Sequence, residues 1–297
     1  MIRCILAVFA KECKLSDAFF TKGLYLVATP IGNLGDISAR AVDVLKSADT
    51  VACEDTRNTQ KLLTLLGIAG KKLTAYHNFN AEKACPKILE RLRNNEMVAL
   101  VSDAGMPLVS DPGYKLVQEC IDNGIYVTSV PGACAFLTAL QLSGLPSHRF
   151  LFNGFLPPKT TARKKELEIL ANVPATLIFY ESPQRLAETL ADMADVLGNR
   201  QAAVVREITK KFEQTVRGTL SGLIDGYRQN GWPKGEIVIV VAPPAEEKAA
   251  PADIDAVIKR ALETMTVKDA AAFAAQQTGA PKKDVYKRAL ELKNGQA

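Results

Sequence analysis

The chain has 297 residues, of which 47% are hydrophobic, 23% are charged and only 6% are aromatic. This composition is typical of a folded protein of about two domains, and it excludes a disordered or collagen-like chain. No window approaches the roughly 18 unbroken apolar residues of a membrane helix, so we expect a soluble protein without a membrane partner. The net charge of +5 permits a polyanionic partner but does not require one.

The six cysteines lie far apart and form no CxxC pair, which indicates buried, reduced thiols and a reducing compartment, the cytoplasm. His77 and His148 are the only histidines, and neither has a neighbour at metal-ligand spacing. No metal site is therefore predicted. Residues 1–22 lack the long apolar region of a secretory signal, and we interpret them as an N-terminal extension.

From Leu24 onward, short apolar runs alternate with amphipathic stretches, which predicts strands that alternate with helices. The predicted strands are LYLVAT, TVACED, MVALVS, IYVTSV, LIFYE, AAVVRE and EIVIVVA. One helix is expected to begin at a cap formed by Asp111 and Pro112 and to end before Gly124, and another is expected from Pro183 to Leu197. This alternation indicates an α/β fold with parallel pairing at least in the first half.

A cluster of Gly, Pro and basic residues from Gly144 to Lys165 interrupts the pattern, and we place a boundary between two α/β lobes near residue 145. The predicted organisation is an N-terminal lobe over residues 23–145, a C-terminal lobe over 146–242, a linker over 243–251 and a helical tail over 252–297. The linker assignment depends on PPAEEKAAPA, a composition that cannot form a core.

Three predicted strands end in turns that carry both Gly and Pro: Pro30–Asn33, Ser102–Pro107 and Pro131–Ala133. In open α/β sheets the ligand lies outside the carboxyl ends of the strands, so these turns are candidates for a ligand site, although ordinary tight turns remain the alternative. The first strand is not followed by GxGxxG, and the chain has no GxxxxGK[ST]. A Rossmann dinucleotide domain and a P-loop NTPase are therefore disfavoured.

Seven motifs in order make the chain similar to the tetrapyrrole methylase superfamily: LYLVATPIGNLGDIS, ACEDTRNT, LVSDAGMPLVSDPG, VPGACA, GFLPPK, FYESPQRL and KGEIVIV. Within it, the chain most resembles the branch that methylates a cytidine ribose 2′-oxygen in the decoding region of 16S ribosomal RNA. The resemblance implies two α/β lobes with S-adenosylmethionine in the cleft between them, a homodimer, and 16S ribosomal RNA or the small ribosomal subunit as substrate.

The resemblance also implies which residues bind the cofactor: Pro30, Gly105, Val109, Cys134, Ala135, Tyr180 and Gly235. Met106 departs from the acidic residue that some members of the superfamily have beside this glycine, which puts a charged contact there in doubt.

Transfer of a methyl group to a ribose hydroxyl needs a proton acceptor or a cation that stabilises the developing alkoxide. Among the polar residues near the strand ends, we predict Asp103 or Glu181 as the proton acceptor. Arg57 or Arg206 is expected to hold the phosphate beside the target ribose. Carboxylates at strand ends are also common as helix caps or ion-pair partners, and that alternative stays open.

Two basic segments are candidates for RNA contacts. Lys159, Arg163, Lys164 and Lys165 form a predicted basic loop, whose alternative is a solvated helix start. In the tail, Thr266 caps one helix, Gly279 ends it and Pro281 begins a second helix, a pattern typical of a helix-turn-helix. The outward cations of this second helix are Lys282, Lys283, Lys287 and Arg288, and a helical appendage used only for dimer packing is the alternative.

Two other functions remain open from the sequence. A methylase of a tetrapyrrole or another small molecule would leave the basic segments without a role, and a nucleic-acid-binding module without catalysis would leave the Gly/Pro turns without one.

Overall fold

The computed structural model describes residues 20–245 and 251–294. The chain divides into two compact units between Pro243 and Pro244. Most of the predicted N-terminal extension and the middle of the predicted linker lie outside the described residues. No helix in the described ranges is both long and apolar enough to cross a membrane.

The N-terminal lobe is built on a five-stranded parallel sheet of order β3-β2-β4-β1-β5. Its strands are β1 (Leu24–Val27), β2 (Thr50–Cys53), β3 (Lys72–Ala75), β4 (Val98–Val101) and β5 (Val127–Val130). The central strands β2 and β4 are fully buried, because helices cover both faces of a parallel sheet. The predicted parallel pairing is confirmed.

Four helices cover the faces of this sheet: α1 (Ala39–Ser47), α2 (Thr56–Leu65), α3 (Ala81–Arg93) and α4 (Tyr114–Asp122). The expected cap at Asp111 is wrong, because α4 begins three residues later, with Gly113 as its N-cap at a φ of 145°. No side chain caps this helix. Asp111 is therefore not the cap of this helix.

The second lobe contains a mixed sheet of order β6-β7-β10-β8-β9, in which only β6 and β7 are parallel. Its strands are β6 (Phe150–Phe155), β7 (Thr176–Glu181), β8 (Gln201–Arg206), β9 (Gln214–Thr219) and β10 (Ile237–Val241). Helix α5 (Ala135–Ser143) leads from the first lobe into this one, whose own helices are α6 (Thr160–Leu170), α7 (Leu186–Leu197) and α8 (Leu220–Asn230). The predicted α/β class is confirmed.

Helix α5 connects the lobes, because it follows the last strand of the first sheet and packs on the second. Its Ala139 and Leu140 share an apolar cluster with Ile178 of β7 and Val240 of β10. Ile31, from the turn after β1, joins the same cluster. The turns of the first lobe are therefore held against the second sheet.

The prediction that Arg163 is a loop cation available to RNA is wrong, because Arg163 lies in the first turns of α6 with its side chain fully buried. Its Nε lies 2.6 Å from Oδ2 of the nearly buried Asp192 in α7, and its guanidinium also donates to the Pro158 carbonyl and to Thr160. Its role is to join α6 to α7.

We expect Arg163→Met to lower the free energy of unfolding by about 3–5 kcal/mol, because the nearly buried Asp192 loses its 2.6 Å contact and keeps only Lys164, at 3.8 Å. Urea denaturation measures the loss. Lys165→Met, an exposed lysine on the same helix, is the matched control and should change stability little. A loss below about 1 kcal/mol for Arg163→Met would contradict this role for the ion pair.

The second unit contains the helices α9 (Pro251–Leu262), α10 (Val267–Thr278) and α11 (Lys282–Asn294). The predicted cap is present, because Thr266 Oγ1 accepts the Asp269 amide, and Gly279 ends α10 in the left-handed region at a φ of 69°. Ile258, Ala274 and Val285 meet in its small core. Small residues let the helices pack closely and leave their polar faces exposed.

Candidate functional site

The Gly/Pro turns of the first lobe come together, as their places at neighbouring strand ends predict. Thr29 and Gly105 exchange two backbone hydrogen bonds, with N–O distances of 2.9 and 3.1 Å. A Cβ added to Gly132 would lie 2.8 Å from the Cβ of Ala28, so the third turn packs tightly against the first. The three turns therefore form one rigid edge above β1, β4 and β5.

A cavity of about 360 Å³ lies between this edge and the second lobe. The first lobe contributes Ile31, Ala104–Met106, Val109–Asp111, Cys134 and Ala135, and the second contributes Phe155, Tyr180–Pro183, Ile208 and Gly235–Val238. Tyr180 is fixed by aromatic contacts, with its ring centroid 4.9 Å from that of Phe152 and 5.6 Å from that of Phe155. Burial raises the Tyr180 pKa to about 12, so the phenol stays protonated.

Strained backbone is concentrated beside this cavity. Among the described residues, five other than glycine have positive φ, and Leu108, Ser110, Glu207 and Thr209 are four of them. They flank the cavity-lining residues Val109 and Ile208. Each such conformation costs about 1–3 kcal/mol and persists where the surroundings impose it, most often at functional sites. The strain supports the cavity as the functional site of the fold.

Six of the seven residues expected to bind the cofactor line this single cavity: Gly105, Val109, Cys134, Ala135, Tyr180 and Gly235. Pro30, the seventh, precedes the lining residue Ile31 but is not itself in the lining. The assignment of these seven residues stays a prediction.

The cavity fits the adenosyl cofactor in size and chemistry. Small-molecule sites have volumes of about 300–1,000 Å³ and are lined mostly by apolar and aromatic groups, with a few polar groups placed among them. Two glycines keep it open: a Cβ on Gly105 would lie 3.3 Å from Ile31 Cγ2, and one on Gly235 would lie 2.5 Å from the Glu207 carboxylate. The lining residues are therefore suited to hold S-adenosylmethionine.

Glu181, one of the two proposed proton acceptors, lies in the wall of this cavity with a fully buried side chain. Its carboxylate accepts hydrogen bonds from Thr189 Oγ1 at 2.5 Å and from the Ser182 amide at 2.7 Å, and Arg185 Nε lies 3.4 Å away. These partners hold the turn after β7, which is a structural role for the carboxylate.

Asp103 and Arg57, two further candidates, lie outside the lining of the cavity. Asp103 accepts from the Asp55 amide and from Asn58 Nδ2, at 3.2 and 2.9 Å, so it ties the turn after β4 to the start of α2. The Arg57 guanidinium is exposed and pairs with Asp55 at 2.7 Å. Their catalytic roles stay predictions, with the alternative of caps and ion pairs now visible.

Asp111 is the residue that the sequence reasoning missed. It lines the cavity beside Ser110, and burial together with the carboxylates of Glu54 and Asp103 raises its pKa from 3.8 to about 6. A carboxylate with this pKa can take up a proton near neutral pH. The sequence SDPG places this aspartate beside a predicted ligand turn, but the same sequence also fits a helix cap, which is why sequence alone does not identify Asp111.

Arg206, the fourth catalytic candidate, lies in a second, larger groove of about 720 Å³ next to the cavity. Its Nε donates to Gln214 Oε1 at 2.9 Å and its Nη1 to the Lys234 carbonyl at 3.3 Å. The structure therefore separates Arg206 from the other three candidates.

The basic residues proposed for RNA binding differ in availability. Lys159 and Lys165 are exposed, but Lys164 pairs with Asp195 at 2.5 Å. In α11, Lys282, Lys283 and Lys287 are exposed. Arg288 is also exposed, but it pairs with Asp255 at 2.6 Å and Glu291 at 2.9 Å, so it joins α9 to α11.

This two-lobed architecture, with a cleft formed by Gly/Pro turns, defines a methylase class. The chain belongs to the tetrapyrrole methylase family: the model described as Tetrapyrrole (Corrin/Porphyrin) Methylases matches residues 23–224. A second model, described as RsmI C-terminal HTH domain, matches residues 248–293. The resemblance drawn from the seven motifs is therefore confirmed.

Two relatives that match along nine-tenths of the chain share one name. A Mesorhizobium japonicum protein named Ribosomal RNA small subunit methyltransferase I is 53% identical over 91% of this chain and 92% of its own. One of the same name from Erythrobacter litoralis is 54% identical over 91% and 95%. A crystal structure of Thermus thermophilus uroporphyrin-III C-methyl transferase, complexed with S-adenyl homocysteine, shares the fold, with a TM-score of 0.52 and 20% identity over 74% of this chain and 97% of that one.

Proposed function

We propose that the protein is an S-adenosylmethionine-dependent methyltransferase that methylates the ribose 2′-oxygen of a cytidine in the decoding region of 16S ribosomal RNA. The observation that carries the proposal is the single cavity formed by the Gly/Pro turns of one lobe and the second sheet of the other. The name shared by relatives that match along nine-tenths of the chain supports ribosomal RNA as the substrate. It disfavours a tetrapyrrole or another small molecule.

The residues of the chain perform three tasks in this reaction. Gly105, Val109, Cys134, Ala135, Tyr180 and Gly235 would hold the cofactor, which supplies a methyl group already activated as a sulfonium. The apolar walls exclude water from the reacting atoms. The rigid turns fix the position of the acceptor ribose, and such positioning can lower a barrier by about 7–11 kcal/mol.

Asp111 is our candidate for the group that takes the proton of the 2′-hydroxyl. Asp111 and Glu181 both lie in the cavity wall, but Glu181 already accepts from Thr189 and from the Ser182 amide. Asp103 lies outside the lining and bonds to the start of α2. The raised pKa of Asp111 brings its basicity close to neutral pH, which favours proton transfer as the new C–O bond forms. Its carboxylate form is required, so activity should increase as the pH rises through about 6.

The exposed lysines of α11, Lys282, Lys283 and Lys287, are proposed to contact RNA phosphates. We expect the triple change of Lys282, Lys283 and Lys287 to Gln to weaken RNA binding and to flatten its salt dependence, by about 0.7–0.9 in the slope of log K against log salt for each lost contact. Filter binding at several salt concentrations measures this slope. Arg288 is left unchanged because its guanidinium ties two helices together.

The matched control removes the same charge elsewhere, by changing the exposed Lys46, Lys61 and Lys87 of the first lobe to Gln. An equal salt slope for the two triple variants would assign the tail to packing.

Transfer of a labelled methyl group tests the proposed activity directly. The purified protein and labelled cofactor are mixed with small ribosomal subunits or with naked 16S RNA, and we expect label on a ribose of at least one substrate. Cofactor binding without transfer to either substrate would favour a small-molecule enzyme, and no cofactor binding would favour a non-catalytic RNA-binding module.

We further propose a homodimer, as the family resemblance implies, and a location in the cytoplasm, as the dispersed cysteines indicate. Sedimentation equilibrium gives the mass in solution, for which a dimer of the 32.1 kDa chain is expected.

A further inference from the structure

The large groove beside the cofactor cavity is not used by the reaction described above. It is formed by α8, the ends of β8 and β9, and the segment that leads into β10, and it has a volume of about 720 Å³. Gly235 lines both the groove and the cofactor cavity. A linear polymer with one unit bound at the cavity can therefore extend into the groove.

The groove contains an aromatic platform. The rings of Tyr227 and Trp232 are stacked, with centroids 5.5 Å apart and planes at 29°. Tyr227 is buried, and Trp232, which stacks on it, is 37% exposed. Phe212, which is 63% exposed, lines the same groove. Large aromatic surfaces are costly to leave in water, and exposed aromatic rings are the surfaces on which unpaired bases stack.

The charges that surround this platform are positive. Arg206, Arg217 and Lys234 line the groove, and none of the three forms an ion pair with a carboxylate in the part of the chain that the structure describes. The acid in the lining, Glu207, accepts from Lys210 and from the Glu236 amide, both at 3.0 Å. Lys210 also pairs with Glu236 at 2.8 Å, so one cation is shared by two carboxylates, and the three cations of the lining face one lining carboxylate. The groove therefore favours an anion.

We propose that this groove binds a single-stranded segment of RNA next to the nucleotide that is methylated. A base stacks on Trp232, and the three cations contact the phosphates. The inference deepens the proposed function and rests on it for the identity of the nucleic acid. A duplex fits poorly, because its bases are already stacked on each other and cannot reach the indole.

Trp232 is the only tryptophan of the chain, so its fluorescence reports on this groove alone. The full-length protein is titrated with an unpaired ribonucleotide decamer of mixed sequence, and separately with the same decamer paired to its complement. We expect saturable quenching by the single strand and little quenching by the duplex. Binding of a labelled decamer with no change in Trp232 emission would overturn the proposal.

Trp232 fluorescence also distinguishes binding of RNA in this groove from binding of a second copy of this chain. If emission depends on protein concentration without RNA and does not respond to the decamer, the groove is a protein interface and the proposal is wrong. Emission that is constant on dilution and quenched by RNA supports it.

Two sets of variants test the individual contacts, with a labelled decamer and anisotropy as the readout. Trp232→Ala should raise the dissociation constant about 5- to 150-fold, the range measured for loss of one stacked base, and Trp232→Tyr should restore most of the affinity. Lys234→Gln should reduce the salt slope by about 0.7. Arg228→Gln, on the exposed side of α8 and outside the groove lining, is the matched control and should leave both values unchanged.

The methyl-transfer assay distinguishes failure of this inference from failure of the proposed function. If Trp232→Ala methylates ribosomal subunits with an unchanged KM for RNA, the groove proposal fails and the proposed function stands. If the decamer quenches Trp232 but no RNA is methylated, the proposed function fails and the groove remains an RNA site. A higher KM with unchanged cofactor affinity supports both.

Discussion

Gly105→Arg is expected to abolish binding of S-adenosylmethionine, with at least a 100-fold loss of affinity in titration calorimetry. Gly105 lies in the cavity wall at a φ of +80°, and even a Cβ there would lie 3.3 Å from Ile31 Cγ2 and 3.5 Å from the Ala133 carbonyl. A full arginine side chain would fill the space that the adenosyl group needs. A loss of 100-fold corresponds to about 2.7 kcal/mol of binding free energy.

The matched control separates this effect from backbone strain. A side chain in the left-handed region costs roughly 1–2 kcal/mol, which most folded proteins tolerate within a stability of about 5–15 kcal/mol. Gly70 has a φ of +73° and nothing within 4 Å of an added Cβ, so Gly70→Arg carries the same strain without filling the cavity. We expect Gly70→Arg to bind the cofactor normally. Unchanged affinity in Gly105→Arg would remove Gly105 from the site.

Asp111→Asn should slow methyl transfer by about 10²- to 10⁴-fold, the usual contribution of general-base catalysis, and should leave cofactor affinity nearly unchanged. Single-turnover rates with saturating cofactor and RNA measure the effect. In the unmodified protein the same rate should fall below pH 6, because the carboxylate, whose pKa is raised to about 6, becomes protonated. The rate of Asp111→Asn is compared with that of Asp103→Asn. Asp103 lies outside the cavity lining, so its substitution shows the effect of losing a carboxylate that only positions the turn.

Glu54 allows a sharper version of this test. Because its negative charge contributes to the raised pKa of Asp111, Glu54→Gln should lower that pKa and move the acid limb of the rate profile to lower pH. A profile that does not move would show that another group controls the rate.

Unfolding does not explain a loss of activity in Asp111→Asn. The folded state holds the Asp111 proton more tightly than the unfolded chain, so this group lowers stability as the pH rises from about 3.8 to about 6, and the deficit persists above that pH. Asparagine removes the charge that causes the deficit. The variant should therefore be at least as stable as the parent near pH 7.5, as urea denaturation would show.

The sequence predicts strands well where both faces are buried. The apolar runs of β2, β4 and β10 stand out because no residue in them faces water. Three strands escape this pattern: β3 (KLTA) and β9 (QTVRGT) lie at sheet edges with partly exposed side chains, and β6 (FLFNGF) lies inside the Gly/Pro cluster that predicts a lobe boundary.

The turns of the site could be predicted because parallel strands place their carboxyl ends at one edge. The contacts of single side chains could not. Arg163 reads as one of four loop cations until its partner Asp192, 29 positions away, is brought beside it by the packing of α6 on α7. Asp111 likewise reads as a helix cap, because the burial and the neighbouring carboxylates that change its pKa come from distant segments.

Mapping of ribose methylation in 16S ribosomal RNA tests the central claim most directly. RNA from cells that lack the protein is compared with RNA from the same cells supplied with the full chain or with Gly105→Arg. We predict that one cytidine in the decoding region loses its 2′-O-methyl group without the protein, regains it with the full chain and stays unmodified with the variant. An identical methylation pattern in all three cultures would contradict the account.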